Sequence, residues 1–218
     1  MGVEKDSAAW SVNTSRGREI KVRALGLVDY LETQQRMRSF CDAASTETGD
    51  EIWLLEHPRV YTQGTACDQQ TLMPSNIPIV ASDRGGQITY HGPGQIVMYP
   101  LLSLRRHELT VKGLVTTLEQ AVINLSQGWN IAAERQEGAP GIYVAGEKIS
   151  ALGLRIRRGW SYHGLSLNVD MDLQPFANID PCGYVGLRTT QLKDQRPDLG
   201  FNPSSVGEQL VTEFCDLL

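Results

Sequence analysis

The sequence predicts an α+β fold with a mainly antiparallel sheet and flanking helices. Three observations carry this. Strand-like segments follow one another directly, few segments show helical periodicity, and the short turns between late strands contain glycine as hairpins do. A chain of 218 residues with 41% apolar and 21% charged side chains has the makings of one globular domain with a sizeable core.

Residues 1–19 mix Ser, Thr, Asn, Gly and both charges without periodicity, and read as a flexible N-terminal extension before a single domain over 20–218. A strand is predicted over 20–25. Leu27, Tyr30, Leu31, Gln34, Met37 and Cys41 then fall on one helical face. Strands follow at 51–56, 60–63 and 78–82. A glycine-rich loop over 84–94 leads into a strand at 95–102. Thr110 caps a helix with Val111, Leu114, Leu118, Val122 and Leu125 that ends at Gly128. Hairpin-like strands at 141–144, 148–157 and 162–169 come next, and Val206, Leu210, Val211, Phe214 and Leu217 mark a closing helix.

The net charge of −5 hides a segregation. Residues 84–168 hold 9 basic and 5 acidic side chains, net +4, between flanks of −4 and −5. That middle segment also carries 12 of the 21 glycines and three of the four histidines, which directs attention there. An acidic chain is a poor nucleic-acid binder. No apolar run is long enough to span a membrane, and none near the start reads as a secretory signal. Four scattered cysteines without a CxxC argue for reduced thiols and a cytoplasmic location. The histidines lack metal-ligand spacing, so no metal site is expected, and no cofactor is expected either.

Four glycines among the twelve residues 84–95 let backbone approach a ligand closely and present N–H donors. The segment ends in neither Gly-Lys-Ser/Thr nor a helix-opening GxGxxG, so it is neither a P-loop nor a dinucleotide fingerprint. Glycines alone fit a tight turn as well; Arg84, Thr89 and His91 tip the balance to a binding loop. Lys148 opens an apolar strand beside Ile149, Ala151 and Leu152, where partial desolvation makes a lysine useful as a base, although most lysines are plain surface charges. Cys182, between Pro181 and Gly183, is the candidate reactive thiol. Cys41 and Cys215 read as packing thiols on helices, and Cys67 in its loop stays open. His91 and His163 could pair with a thiol or hold backbone geometry, while His57 and His107 sit in less constrained contexts.

Together these stretches resemble the octanoyltransferases of lipoate biosynthesis. Residues 84–95 read Arg-Gly-Gly followed by Thr-x-His-Gly-Pro-Gly-Gln. Next come Tyr-Pro-Leu-Leu at 99–102, Gly-Glu-Lys-Ile-Ser-Ala-Leu-Gly-Leu-Arg-Ile-Arg-Arg-Gly at 146–159, His-Gly-Leu-Ser-Leu-Asn-Val at 163–169, and Pro-Cys-Gly at 181–183. The resemblance runs from about residue 20 to about 190. It implies a fold similar to the lipoate and biotin protein ligase catalytic domain. It also implies transfer of an octanoyl group from octanoyl-acyl carrier protein to a lysine of lipoyl domains, as the first step of endogenous lipoate biosynthesis. The acceptors would be the lipoyl domains of 2-oxoacid dehydrogenase complexes and the glycine cleavage H protein.

By the same pattern Cys182 would carry the acyl thioester, with Lys148 lowering its pKa and serving as general acid and base. Substrate contacts are expected from Arg84, Gly85, Gly86 and Gln87, from Ile88, Thr89, Tyr90 and His91, from Ala151, Leu152 and Gly153, and from Gly164, Leu165 and Ser166. Two other readings compete. An ATP-dependent lipoate ligase shares the strand lysine, but its glycine loop ends in His-Asp where this one has His91-Gly92, and it needs no cysteine. A silent acyl- or lipoyl-domain-binding protein would need neither Cys182 nor Lys148. Arg155, Arg157 and Arg158, with Arg105 and Arg106, are expected to steer acidic protein partners, against the plainer reading of solvated edge-strand charges.

Overall fold

Two segments without polar alternation, Gln95–Leu101 and Trp160–Asn168, are buried at every residue and form the centre of the molecule. A strand buried on both faces needs a layer on each, and the fold supplies both. The computed structural model describes residues 8–67, 76–179 and 188–218. Its larger sheet has eight strands: β1 (Ala8–Asn13), β2 (Glu19–Leu27), β3 (Glu51–Glu56), β7 (Gln95–Leu101), β11 (Trp160–Asn168), β10 (Glu147–Arg157), β9 (Ala139–Val144) and β8 (Ala133–Gln136), in that spatial order. All neighbours are antiparallel except β2 and β3. A three-stranded sheet sets β4 (Val60–Gln63) between β5 (Ile79–Ala81) and β6 (Ile88–His91).

The period of two divides each central strand between two cores. On one face Ile52, Leu54, Ile96, Met98, Leu165 and Leu167 meet Leu114, Leu118 and Val122 of α2 (Val111–Gly128) and Leu210 and Phe214 of α4 (Pro203–Asp216). On the other, Trp53, Leu55, Val97, Tyr99 and Leu101 meet Met37 and Cys41 of α1 (Tyr30–Ala43). Each fully buried aliphatic or aromatic side chain contributes about 1.5–3 kcal/mol. Local chemistry sets the helix starts: Asp29 accepts from Glu32 N–H, Thr110 from Gly113 N–H, and Asn202 from Ser204 and Ser205 N–H, with Pro203 at the first helical position. A short α3 (Leu192–Gln195) lies between the larger helices in sequence.

The predicted strands at 51–56 and 60–63 coincide with β3 and β4, and the three long helices lie within a few residues of their expected positions. Two expectations are corrected. Residues 8–19, read as part of a flexible extension over 1–19, are structured: β1 pairs with β2 from Ala8↔Ala24 to Asn13↔Glu19. Trp10 and Val12 alternate with exposed neighbours and pack on the helix-side core, a period of two hidden by the polar residues between them. Residues 1–7 lie outside the described residues. The glycine-rich stretch at 84–94 contains a strand, β6, paired with β4 from Ile88↔Gln63 to His91↔Val60. No helix among the described residues is long and apolar enough to cross a membrane.

Candidate active site

A cleft of about 740 Å³, open mouth included, lies between β6 with its preceding loop and strands β7, β10 and β11. The loop is pinned on both sides. Gly85 N–H donates to Leu154 O of β10 at 3.0 Å, and Arg84 O accepts from Thr65 N–H at 2.9 Å. The Arg84 side chain is 7% exposed; its guanidinium donates to Thr62 Oγ1 and O and to Gly85 O.

Of the residues expected to contact substrate, Arg84, Gly86, Gln87, Ile88, Thr89 and His91 line the cleft, as do Ala151 to Gly153, Gly164 to Ser166, and Lys148. Gly85 and Tyr90 are not in its wall. Gly85 ties the loop to β10, and Tyr90 turns into a separate cluster with Tyr61, Ile77, Phe176 and Ile179. The wall also contains Val97, Tyr99, Pro140, Ser150, His163, Asn168, Phe176 and Thr189. Strand parity could have found one of these: Asn168 stands two residues from Ser166.

Lys148 is 4% exposed although it carries the cleft's ammonium. Nζ donates to Pro140 O at 3.0 Å and sits 5.1 Å from the centroid of the Tyr143 ring. A register shift between Lys148 and Ser150 bulges β10 at this point. Gly141 at φ +128° makes room opposite: a Cβ there would stand 3.2 Å from Lys148 Cε and 2.7 Å from Ser150 O. The Lys148 backbone is paired on its other side, N–H to Arg188 O at 2.9 Å and O from Thr190 N–H at 3.0 Å. Cys182 falls within 180–187 and so lies outside the described residues. The residues that flank that segment border the site, with Ile179 buried beside Phe176 and Thr189 in the cleft wall.

Three histidines cluster with Tyr30 and Tyr99 beside the cleft. Tyr30 stacks on His91 and on His163 at 5.8 and 6.4 Å between centroids, and His57 meets His91 at 5.6 Å. Their partners dictate their tautomers. His57 Nδ1 faces the Val28 carbonyl at 2.7 Å and must donate, so Nε2 accepts from the Tyr99 hydroxyl at 2.9 Å. His163 Nε2 donates to Asp83 at 2.8 Å. Burial pushes His57 down to about 4, against the pull of the Val28 carbonyl. Burial lowers His91 well below its ordinary value, assisted by His57, and lowers His163 despite Asp83. Burial likewise lifts Tyr99 well above its usual value. For Asp83, burial acts upward, but hydrogen bonds from His163, Tyr162, Gln34 and Arg38 outweigh it and hold the carboxylate ionised. His163 takes φ +55° inside β11, a strained conformation for a non-glycine residue. His57 and His107 are more constrained than the sequence suggested: both are buried, and His107 Nε2 lies 2.8 Å from Asp50.

Burial raises Cys41 and Cys215 to about 12, consistent with packing roles, and Cys67 is half-buried against the Tyr61 cluster. The five arginines expected on a docking face divide. Arg157 forms a two-pronged pair with Asp42, Arg158 donates to Asp42 O, and Arg106 is paired with Asp50 and lies over Trp160. Arg105 and Arg155 are exposed.

The sequence profile of the lipoyl protein ligase A/B catalytic domain matches residues 29–215. An octanoyltransferase of Aromatoleum aromaticum is 57% identical over 198 residues, 90% of this chain and 85% of that one. An octanoyltransferase of Azoarcus sp. is 51% identical over 219 residues, 100% of this chain and 93% of that one. Lipoate-protein ligase A bound with ATP superposes with a TM-score of 0.74 at 14% identity, over 88% of this chain and 83% of that one. A biotin protein ligase from Aquifex aeolicus in complex with biotin and ATP gives 0.55 at 15% identity, over 88% and 68%. At such identities the structural likeness speaks for the fold, which is the ligase-like α+β fold anticipated above.

Proposed function

The chain belongs to the octanoyltransferase family and is an acyltransferase of lipoyl biosynthesis, and from that premise we propose that it moves the octanoyl group through a thioester on Cys182, with Lys148 as its partner. The donor is octanoyl-acyl carrier protein. The acceptors are lysines of lipoyl domains in 2-oxoacid dehydrogenase complexes and of the glycine cleavage H protein, and the reaction takes place in the cytoplasm. The observation that carries the reading is the placement of Lys148. It is a buried lysine in a cleft whose wall includes Val97, Leu152, Leu165 and Phe176, with its backbone joined to the chain that leaves the Cys182 segment. Cys182 follows Ile179 by three positions, a span of at most about 11 Å.

The chemistry divides into two steps. A free thiol of pKa near 8.5 is only about 3% thiolate at pH 7; a nearby ammonium that lowers it by two units raises this to about three quarters. The thiolate attacks the donor thioester carbonyl, the carrier thiolate leaves and takes a proton from the Lys148 ammonium, and one thioester replaces another at nearly equal free energy. In the second step the acceptor lysine attacks the new carbonyl. Its amine gives a proton to Lys148, whose role as base becomes available once the thiolate charge is gone, and Cys182 departs as thiolate from an amide product. Apolar walls hold the hydrocarbon and keep water from the thioester. The basic residues Arg105, Arg155, Arg157 and Arg158 steer acidic protein partners.

Intact-mass spectrometry after mixing with octanoyl-acyl carrier protein tests the proposal. An octanoyl adduct on Cys182, lost in Cys182→Ser together with transfer, is expected. An adduct elsewhere, or transfer surviving in Cys182→Ser, overturns it. Labelling of a lipoyl domain from free octanoate and ATP would point to a ligase instead.

A further inference from the structure

His91 is the cleft residue whose state the surrounding bonds determine most fully, and the two-step reaction gives it no part. A hydrogen-bond chain with only one possible polarity ends on it. Asn168 Nδ2 donates to Thr190 O at 2.9 Å, so Asn168 Oδ1 faces Gln95 and accepts from Nε2 at 2.9 Å. The same Gln95 nitrogen donates to Tyr90 O at 3.3 Å. Two backbone carbonyls, which can only accept, thus fix both amides. Gln95 Oε1 is left to accept from His91 Nδ1 at 2.7 Å, which must carry the proton. His91 Nε2 is therefore a bare lone pair. No described residue donates to it, and His91 lines the cleft.

A bare imidazole nitrogen on the cleft wall offers an acceptor to a donor on the substrate. The octanoyl chain and its thioester carbonyl offer none. The incoming amine does: while its lone pair points at the acyl carbon, its N–H groups need acceptors. Because burial holds the His91 pKa well down, the imidazole is unsuited to keep a proton, but it can accept a hydrogen bond. We propose that His91 Nε2, kept bare by Gln95 and Asn168, accepts a hydrogen bond from the acceptor lysine amine and aims its lone pair at the acyl carbon. Gln95 and Asn168 are then positioning residues for the second step. The proton balance is unchanged, since the proton still leaves the amine to Lys148. The proposal rests on the thioester reading above. The chain also starts at Thr190, whose N–H binds Lys148 O, so one stretch of backbone supports both Lys148 and the His91 chain.

The test separates the two steps in the full chain. Acylation from octanoyl-acyl carrier protein is followed by intact mass. Transfer from the isolated acyl-enzyme to an apo lipoyl domain is followed by quenched-flow. His91→Phe should slow transfer about thirtyfold more than it slows acylation, equivalent to about 2 kcal/mol for one lost hydrogen bond near the reacting atoms. Gln95→Leu should slow transfer about tenfold with the same selectivity. His91→Gln, which can present an acceptor oxygen, should recover part of the loss. Nitrogen-15 spectra of the unaltered protein should show His91 protonated on Nδ1 and bare on Nε2, and Gln95→Leu should weaken that preference. Equal slowing of acylation and transfer, unimpaired transfer in His91→Phe, or a proton on Nε2 would each overturn the proposal. Absence of any acyl-enzyme in the unaltered protein overturns the thioester reading and this proposal with it, and a correct His91 tautomer in the same sample tells that failure from the others.

Discussion

A single methyl group at Gly141 should disable the enzyme by moving Lys148. The substitution Gly141→Ala places a carbon 2.7 Å from Ser150 O, 3.2 Å from Lys148 Cε and 3.3 Å from Nζ. The carbonyl belongs to a paired strand and yields only if β9 and β10 separate by roughly half an ångström. The glycine also sits at φ +128°, where an L-residue costs about 1–3 kcal/mol. In a chain of this size that lowers Tm by about 3–10 °C. If Lys148 acts as proposed, the larger effect is on chemistry, because a catalytic group displaced by a fraction of an ångström to one ångström loses up to about a hundredfold in rate. Gly138→Ala provides the control. It lies in the same hairpin at φ +74°, but its Cβ would meet nothing within 4 Å. Thermal melts and single-turnover octanoyl transfer on both variants give the answer. Both should lose several degrees, with transfer falling about a hundredfold in Gly141→Ala and staying within about threefold in Gly138→Ala. Equal losses of transfer in the two, or near-normal transfer in Gly141→Ala, would show that the space beside Lys148 does not position it.

Other consequences concern acid, thiols and the basic face. His57 is held neutral with its pKa at about 4, so its contribution to stability is complete above its unfolded value near 6.5 and is lost as pH falls to about 4. His91 and His163 shift in the same direction, and Asp83 adds a further loss below its unfolded value near 3.9. Urea unfolding should show stability dropping by roughly 3 kcal/mol or more between pH 6.5 and 4, and a flat profile there would refute the assignment of buried neutral imidazoles. Iodoacetamide at pH 8 should leave Cys41 and Cys215 unmodified in the folded protein; rapid labelling of either contradicts thiols raised to about 12. Replacing Arg157 and Arg158 with Ala should slow use of carrier-bound donor at low salt and flatten its salt dependence. Because both arginines contact Asp42 of α1, Asp42→Ala is the matching control: an equal defect there would trace the effect to α1 packing, not docking.

What could be read in the sequence follows from what is local. The strands β3 and β4 and the helices α1, α2 and α4 announce themselves through periodicity and caps such as Thr110, because a helix face or a strand parity is written in neighbouring residues. Strand β1 did not, since Trp10 and Val12 are two apolar positions among polar ones and become a strand only against β2. The same limit hid the site's lower layer. His57 follows β3, Tyr30 opens α1, and Asp83 stands before the glycine loop, yet the fold brings all three to the cleft histidines. No local pattern states which strands pair, and the partners of a buried imidazole depend on that pairing. Parity separates Thr89 and His91 from Ile88 and Tyr90 on β6, but it does not tell that Ile88 reaches the cleft wall while Tyr90 stays within the Tyr61 cluster.

The neutral histidine layer has a consequence for how the reaction can depend on pH. Lowered pKa values leave His57, His91 and His163 uncharged at neutral pH, and the raised Tyr99 keeps its proton. Each is fixed in one tautomer or one donor role by a partner that cannot reverse: a carbonyl at Val28, an ionised carboxylate at Asp83, and an amide at Gln95 anchored by carbonyls. Between pH 7 and 8, then, none of these groups changes charge. In the proposed mechanism, a titration of octanoyl transfer in that interval is assigned to the thiol or to the substrate amine. A cleft that used one of these imidazoles as its proton acceptor would have to raise that imidazole's pKa towards neutrality, and burial has done the opposite. The layer therefore serves geometry and exclusion of water, and in the proposed mechanism proton transfer falls to Lys148 in the same cleft.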